Sequence, residues 1–224
     1  MQRVLILVEG QTEERFVKSI LQPHLTAFNV HAEPKIVTTK RVKSGPDFKG
    51  GVTNFGKVEY DIRLLLGDTN ASLVTTMLDY YGLPRDFPGQ RQLRGRNSHE
   101  KARELEVALE NHFQAAPRFL AYLMVHEFEA MLFSAPNVLA EVMNEPSAGR
   151  HLLSIRNSFP TPEDINDDPI TKPSARVLSR FPGYQKVLHG PNTLNRIGLA
   201  TVRGECAHFN EWVTKLEALS STST

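Results

Sequence analysis

Three short runs of apolar residues constrain the fold of this chain more than any other feature. The first run is continuous rather than alternating, which is typical of a strand buried on both faces of a sheet, and the other two also predict buried strands. The runs are Val4–Val8, Ser72–Leu78 and Phe119–Val125, and helical patterns lie between them. Strands that alternate with helices predict an α/β fold with a mostly parallel sheet flanked by helices.

The segments around these runs predict the remaining organisation. Helical spacing of apolar residues predicts helices over residues 12–21, 58–66 and 99–113, with a further helix starting at 126–133 and a weaker strand over 29–39. A loop rich in Gly, Pro and Arg is expected over 82–97. Beyond residue 135 the pattern is helical and broken by proline and glycine. We therefore divide the chain into an α/β core, residues 1–135, and a helical C-terminal extension of the same domain, residues 136–224.

Composition narrows the class of protein. The chain has a single cysteine, Cys206, so an internal disulfide and a multi-cysteine zinc site are excluded. Cys206, His208 and Trp212 follow a helical pattern and are expected in the core. No run approaches the roughly 18 apolar residues of a membrane span, and the first apolar run is too short for a signal peptide. A soluble, cytoplasmic protein without a membrane partner is expected.

Charge is distributed unevenly although the formal net charge is only +1. Residues 35–57 carry six basic residues and one acid, residues 85–103 carry six and two, and residues 172–203 carry six and none. Residues 104–168, in contrast, hold eleven acids against three arginines. This asymmetry is consistent with a polyanion-binding surface beside a carboxylate cluster, or with solvated faces of different helices.

Each of the three apolar runs ends in a carboxylate. Glu9 follows the first run, Asp79 the second, and Glu127 and Glu129 come shortly after the third. Because the carboxyl ends of parallel strands lie along one sheet edge, these side chains are expected to converge there. Carboxylates that repel one another usually hold a cation, and oxygen-only ligands suit Mg²⁺ or Mn²⁺. The structural alternative is that Asp79 and Glu127 only cap the helices that follow them.

Several motifs carry a family resemblance. The segment from Val8 to Phe16 resembles the opening motif of Toprim-like proteins, and nearly the whole chain resembles a bacterial family of uncharacterised Toprim-like proteins often encoded beside an AAA-type ATPase. The motifs that carry the wider resemblance are Glu9-Gly-Gln-Thr-Glu13, Leu78-Asp-Tyr-Tyr-Gly82, His126-Glu-Phe-Glu-Ala130, Pro182-Gly-Tyr-Gln-Lys186 and Cys206-Ala-His-Phe-Asn-Glu-Trp212.

The resemblance implies metal-dependent chemistry on phosphodiesters. Glu9 matches the Toprim glutamate, and Asp79 matches the first aspartate of the Toprim Asp-x-Asp motif. Tyr81 stands where that motif has its second aspartate, so Glu127 and Glu129 are the candidates for the missing oxygens. Glu9, Asp79 and Glu127 are therefore expected to be catalytic, and together with Glu129 they are the expected metal ligands.

Four further residues are candidates for binding the substrate. Lys49 lies in a glycine-rich segment and could bring a cation to a phosphate, although a plain loop is the alternative. His126 could donate to a phosphate or be a structural histidine. Arg176 and Arg180 are four residues apart and share a helical face. They could hold phosphates, or they could pair with the acids of residues 104–168.

Two function classes follow from these residues. The first is a metal-dependent phosphodiester hydrolase, a nuclease that binds nucleic acid and works with an ATPase partner in bacterial defence or DNA processing. The second is a non-catalytic Toprim-like module that regulates such an ATPase, which the tyrosine at position 81 favours. The sequence does not choose between DNA, RNA and nucleotide as substrate, between one and two metals, or between oligomeric states.

Overall fold

The computed structural model describes residues 1–38, 54–165, 168 and 170–222. Within these ranges the predicted α/β fold is confirmed: a parallel sheet has helices on both faces. The strands are β1 Gln2–Val8, β2 Val30–Ile36, β3 Leu73–Asp79, β4 Phe119–Leu120 and β5 Leu123–Met124. Strand order is β2-β1-β3-β4, β5 also pairs with β3, and every pairing is parallel. The carboxyl ends of all strands therefore lie at one edge.

Helices occur throughout the α/β core, residues 1–135, and make up most of the chain that follows it. One continuous helical segment consists of the α-helix Gln11–Phe16, the π-helical turn Val17–Leu21 and the α-helix Gln22–Thr26. The α-helices are α1 Gln11–Phe16, α2 Gln22–Thr26, α3 Phe55–Leu66, α4 Ser98–His112, α5 Pro136–Val142, α6 Gly149–Asn157, α7 Pro173–Arg180, α8 Lys186–Ile197, α9 Leu199–Glu205 and α10 Ala207–Glu217.

Strand β1 is buried on both faces, as its uninterrupted apolar run predicts. Val4, Ile6 and Val8 point into the hydrophobic cluster formed with α1, α2 and the C-terminal helices. Leu5 and Leu7 point into the second cluster, which lies under α3 and α4. The alternation follows from the period of two in a strand, and only a run without polar residues satisfies both faces.

The third apolar run does not form the long strand that the sequence predicts. It is split into β4 and β5, because the hydroxyl of Thr76 in β3 takes over the pairing at Tyr122: it donates to the Tyr122 carbonyl at 2.8 Å and accepts from the Tyr122 amide at 2.9 Å. Side chains of α4 accept from the neighbouring amides, Glu110 from Ala121 and Glu106 from Leu123. The edge of the sheet is thereby covered.

One further local prediction needs correction. Residues Phe128–Ser134, predicted to start an α-helix, form 3₁₀ turns. Beyond them, the C-terminal helices share one hydrophobic cluster with β1, and Cys206, His208 and Trp212 are buried as predicted. The division at residue 135 stays a prediction. Among the residues that the structure describes, no helix is long and apolar enough to cross a membrane.

Candidate active site at the carboxyl edge of the sheet

Glu9 and Asp79 lie side by side at the carboxyl edge. They come at the ends of β1 and β3, which are adjacent and parallel with Val8 opposite Met77. The Asp79 amide donates a hydrogen bond to Glu9 Oε2 at 3.3 Å. Asp79 Oδ1 in turn accepts from the Phe128 amide at 3.1 Å, which ties the third apolar run to the same edge. The structure therefore brings together two of the carboxylates that the sequence singles out.

Glu13 is a third carboxylate at this edge. Glu13 lies in the first turn of α1, and the N-cap of that helix is Gly10. The Gly10 amide donates to Glu13 Oε2 at 2.9 Å, so the Glu13 side chain folds back over the turn towards the strand end. Its carboxylate is buried, and burial together with the charge of Glu129 raises its pKa.

Burial and mutual repulsion perturb these acids strongly. Burial, followed by the charge of Glu13, raises the pKa of Glu9 from 4.5 to about 7. For Asp79, burial and the charges of Glu9 and Glu13 raise the pKa well above its usual value. Such shifts arise when carboxylates are removed from water without enough positive charge beside them. The edge thus carries negative charge that the protein itself compensates only in part.

Lys186 is the cation that the structure places among these acids. Its Nζ lies 3.0 Å and 3.1 Å from the two oxygens of Glu129, whose side chain is only 1% exposed. Desolvation lowers the pKa of Lys186, but Glu129 and Glu127 outweigh it and raise the pKa to about 12, so the ammonium stays charged. Burial raises the pKa of Glu129, and the charge of Lys186 opposes that rise.

Lys186 is absent from the predicted site residues. It is the first residue of α8, and that helix approaches closely because Gly190 has no side chain: a Cβ there would lie 3.1 Å from the Phe128 ring. The only signal in the sequence is its place in the Pro182–Lys186 motif. A lysine in a basic segment looks like a surface residue until the packing of α8 is known.

Glu127 is held by the start of α7. The amide of Ser174 donates to its Oε1, the Ser174 hydroxyl donates to Oε2 at 3.0 Å, and Lys172 Nζ lies 3.3 Å from Oε2. The carboxylate is 3% exposed. Both oxygens of this predicted ligand are therefore engaged by α7, which distinguishes Glu127 from Glu9 and Asp79.

His126 and Tyr81 shape the backbone beside the site. His126 is buried and has a φ of +66°, which is uncommon for a residue other than glycine and is found preferentially at functional sites. Its carbonyl accepts from the Tyr81 amide at 3.0 Å. The ring of Tyr81 lies under the Lys172 ammonium at 4.6 Å. Where the Toprim pattern has an acid, this chain therefore has an aromatic ring in contact with a cation.

In the described contacts, the two predicted substrate arginines have partners other than the acids at the carboxyl edge. Arg180 forms an ion pair with Glu145 at 2.7 Å, an acid of the 104–168 stretch. Arg176 donates to the Thr171 carbonyl and packs 5.4 Å from the Phe159 ring. Lys49 lies outside the described residues.

The acids at this edge do not all suit a divalent cation. In the described ranges, no group of three or more His, Cys, Asp or Glu side chains is arranged to hold a metal ion. The predicted four-carboxylate set divides instead: Glu9 and Asp79 lie side by side and are joined by the hydrogen bond from the Asp79 amide, whereas Glu127 and Glu129 have lysine partners. The chemistry of the first pair nevertheless fits Mg²⁺ or Mn²⁺, because both prefer carboxylate oxygens and would offset the excess negative charge.

Comparison with known proteins gives one family and two distant structures. A family model described as "Domain of unknown function (DUF4276)" matches residues 8–217. Two structures of the C-terminal region of the Xanthomonas campestris pv. campestris OLD protein, phased with mercury and with iodine, are similar at 16% identity with TM-scores of 0.39 and 0.36. Each match covers 96% of this chain and 97% of the other. At these scores the likeness is too distant to assign a function. No curated protein matches this chain.

Proposed function

This chain belongs to the DUF4276 family, and we propose that it is a Mg²⁺- or Mn²⁺-dependent phosphodiester hydrolase that acts on nucleic acid. One observation carries the proposal: Glu9 and Asp79 adjoin at the carboxyl edge of a parallel sheet, with their pKa values raised by burial and by neighbouring acids. Perturbed acids at this edge are characteristic of functional sites in α/β proteins.

Each residue has a role under this proposal. Glu9 and Asp79 would hold the cation, which supplies Lewis acidity and lowers the pKa of a bound water. Glu127 and Glu129 are proposed as additional ligands, and each would have to share its carboxylate with a lysine partner. Lys186, which remains charged, would attract the phosphate. These two lysine pairs also counter the negative charge that would otherwise repel a polyanion.

The state of Glu9 suits proton transfer. A carboxyl with a pKa of about 7 exchanges its proton near neutral pH, the range in which general acids and bases are most effective. If Glu9 is not fully committed to the cation, it can accept a proton from the attacking water. The Toprim resemblance adds support, and it also motivates the proposal that an AAA-type ATPase is the partner of this protein in the cytoplasm.

The alternative is a non-catalytic Toprim-like module that regulates its ATPase. The contact between Tyr81 and Lys172 favours it, because this position contributes no carboxylate oxygen. The alternative keeps the fold and the buried acids but assigns them to stability and partner binding.

A nuclease assay separates the two functions. Single- and double-stranded DNA and RNA would be incubated with Mg²⁺ or Mn²⁺, with and without the neighbouring ATPase. Turnover that is lost in Glu9→Ala and Asp79→Asn, but kept in the control Glu141→Gln, would support the enzyme; Glu141 is half exposed and pairs with Arg196. A protein without turnover in every condition, and without a thermal response to either metal, would favour the module.

A further inference from the structure

The loop that leaves the candidate site carries arginines that have no carboxylate partner within the part of the chain that the structure describes. We define residues 83–97 as the arginine loop; it connects the turn at Tyr80–Gly82 to α4. Its four arginines are exposed, and their guanidinium groups make no ion pair among the described residues. They are Arg85, Arg91, Arg94 and Arg96.

The tail helices differ from this loop in how their cations are used. Lys172, Arg180, Lys186 and Arg196 each pair with an acid of residues 104–168. Arg203 pairs with Glu217, and Arg176 is bound to a backbone carbonyl. An arginine already paired must give up that partner before it can bind a phosphate, so the arginines of the tail are poorly suited to bind a polyanion.

The arginine loop starts at the site. A Cβ on Gly82 would lie 3.7 Å from Glu9 Oε1 and 3.8 Å from Glu9 Oε2. Arg85 follows three residues later, and three residues span at most about 10 Å of extended chain. A polymer bound along the loop would therefore pass the carboxyl edge.

The loop is also held in place without using its guanidinium groups. Phe87 is buried against Phe55 with ring centroids 5.4 Å apart. Gly89, with a φ of +80°, lies so close to α4 that a Cβ would be 2.7 Å from that of Ala108. Two glutamates of α4 accept hydrogen bonds from loop amides, Glu104 from Arg94 at 2.8 Å and Glu100 from Arg96 at 2.6 Å.

These glutamates fix the backbone of the loop through its amides, and the arginine side chains remain available to bind an anion. Their charge does not cancel that of the segment: residues 85–104 hold six basic residues and three acids, which leaves +3. We propose that the arginine loop is the surface on which this protein binds the sugar–phosphate backbone of a nucleic acid. The choice of a nucleic acid as the polyanion rests on the proposed function.

Binding is tested with a charge-matched pair of variants. The loop variant is Arg91→Gln/Arg94→Gln/Arg96→Gln. The control removes the same charge from three exposed arginines that do have ion pairs, 2.7–2.8 Å from their carboxylates. The control positions are Arg63, Arg103 and Arg196.

The probe is a fluorescent oligonucleotide of about 30 nucleotides, as single-stranded DNA, duplex DNA and RNA. Anisotropy is recorded in EDTA over about 50–300 mM NaCl, so that the result does not depend on turnover. The loop variant should bind about tenfold or more weakly at about 0.1 M salt, and its salt slope should be shallower by about 2–3 for three lost phosphate contacts. The control should keep the wild-type slope, and an Arg→Lys version of the loop variant should keep most of it.

Three results would overturn the inference. The first is an equal loss of affinity in the loop variant and the control. The second is wild-type protein that shows no salt-dependent binding to any of the three probes. The third is equally tight binding of a polyglutamate peptide. Inactivity in the nuclease assay with intact, loop-dependent binding would instead reject only the proposed hydrolysis. A tail variant, Arg176→Ala/Arg180→Ala, should lower the melting temperature and leave the salt slope unchanged.

Discussion

Replacing Glu9 by glutamine should stabilise this protein at alkaline pH. Glutamine keeps the shape of the side chain and an oxygen that accepts from the Asp79 amide, but it removes the charge. In the wild type, the Glu9 carboxylate is partly buried beside Glu13 and other acids, and the pKa of this carboxyl is raised to about 7. We propose that the fold accepts this cost because the carboxylate serves the proposed function.

The magnitude follows from proton linkage. A carboxyl whose folded-state pKa lies above its unfolded value contributes stability below the unfolded pKa, and that contribution is lost as pH rises through the folded pKa. For Glu9 the window runs from 4.5 to about 7. At about 1.4 kcal/mol for each tenfold difference in proton affinity, the full loss is about 3 kcal/mol. Partial exposure of Glu9 reduces it to about 2 kcal/mol.

Urea unfolding in EDTA between pH 4.5 and 8 measures the effect. The wild type should lose stability across this range, Glu9→Gln should lose about 2 kcal/mol less, and the two proteins should converge near pH 4.5. Addition of Mg²⁺ or Mn²⁺ at pH 8 should stabilise the wild type and leave Glu9→Gln unchanged, because only the wild type offers the charged pair. Glu141→Gln, at an exposed ion pair, serves as the control and should follow the wild type. A Glu9→Gln protein less stable than wild type at pH 8 would refute the reasoning.

Three other outcomes are expected. Lys186→Met should lower the free energy of unfolding in urea at pH 8 by about 2–3 kcal/mol, which is less than the loss on breaking a fully buried pair because the lysine is 45% exposed. Adding Glu129→Gln should recover most of this loss, and no recovery would contradict the pairing. Gly89→Ala should destabilise by about 1–3 kcal/mol in thermal unfolding because of its positive φ and the contact with α4, whereas Gly204→Ala, with open space in α9, should be neutral or stabilising. Limited proteolysis should release no stable fragment that ends near residue 135, since the helices beyond it share the hydrophobic cluster of β1; such a fragment would show two domains.

The sequence alone determined the class of fold and one half of the site. Uninterrupted apolar runs have few solutions other than strands covered on both faces, and helices between them make those strands parallel. The ends of β1 and β3 then meet at one edge by geometry. Glu9 and Asp79 could be placed together for this reason, without any knowledge of side-chain packing.

The sequence did not predict where side chains replace regular backbone hydrogen bonds. The run from Phe119 to Val125 predicts a single strand, but the hydroxyl of Thr76 replaces the ladder in its middle. Likewise, Thr12 has the chemistry of an N-cap, yet Glu13 bonds the Gly10 amide. Hydrogen bonds from side chains to backbone compete with regular structure, and their outcome depends on neighbours distant in sequence.

Only the tertiary structure decided which charges oppose which. Lys186 and Glu129 are 57 residues apart, and they meet because α8 packs against the residues that follow β5. Glu127 is engaged by α7, and Arg180 is paired away from the site, while the four arginines of the arginine loop have no carboxylate partner among the described residues. Sequence patterns record the period of an element and the residue at its end. The partner of a charge depends on the docking of helices, which is determined by the shapes of buried side chains across the whole chain.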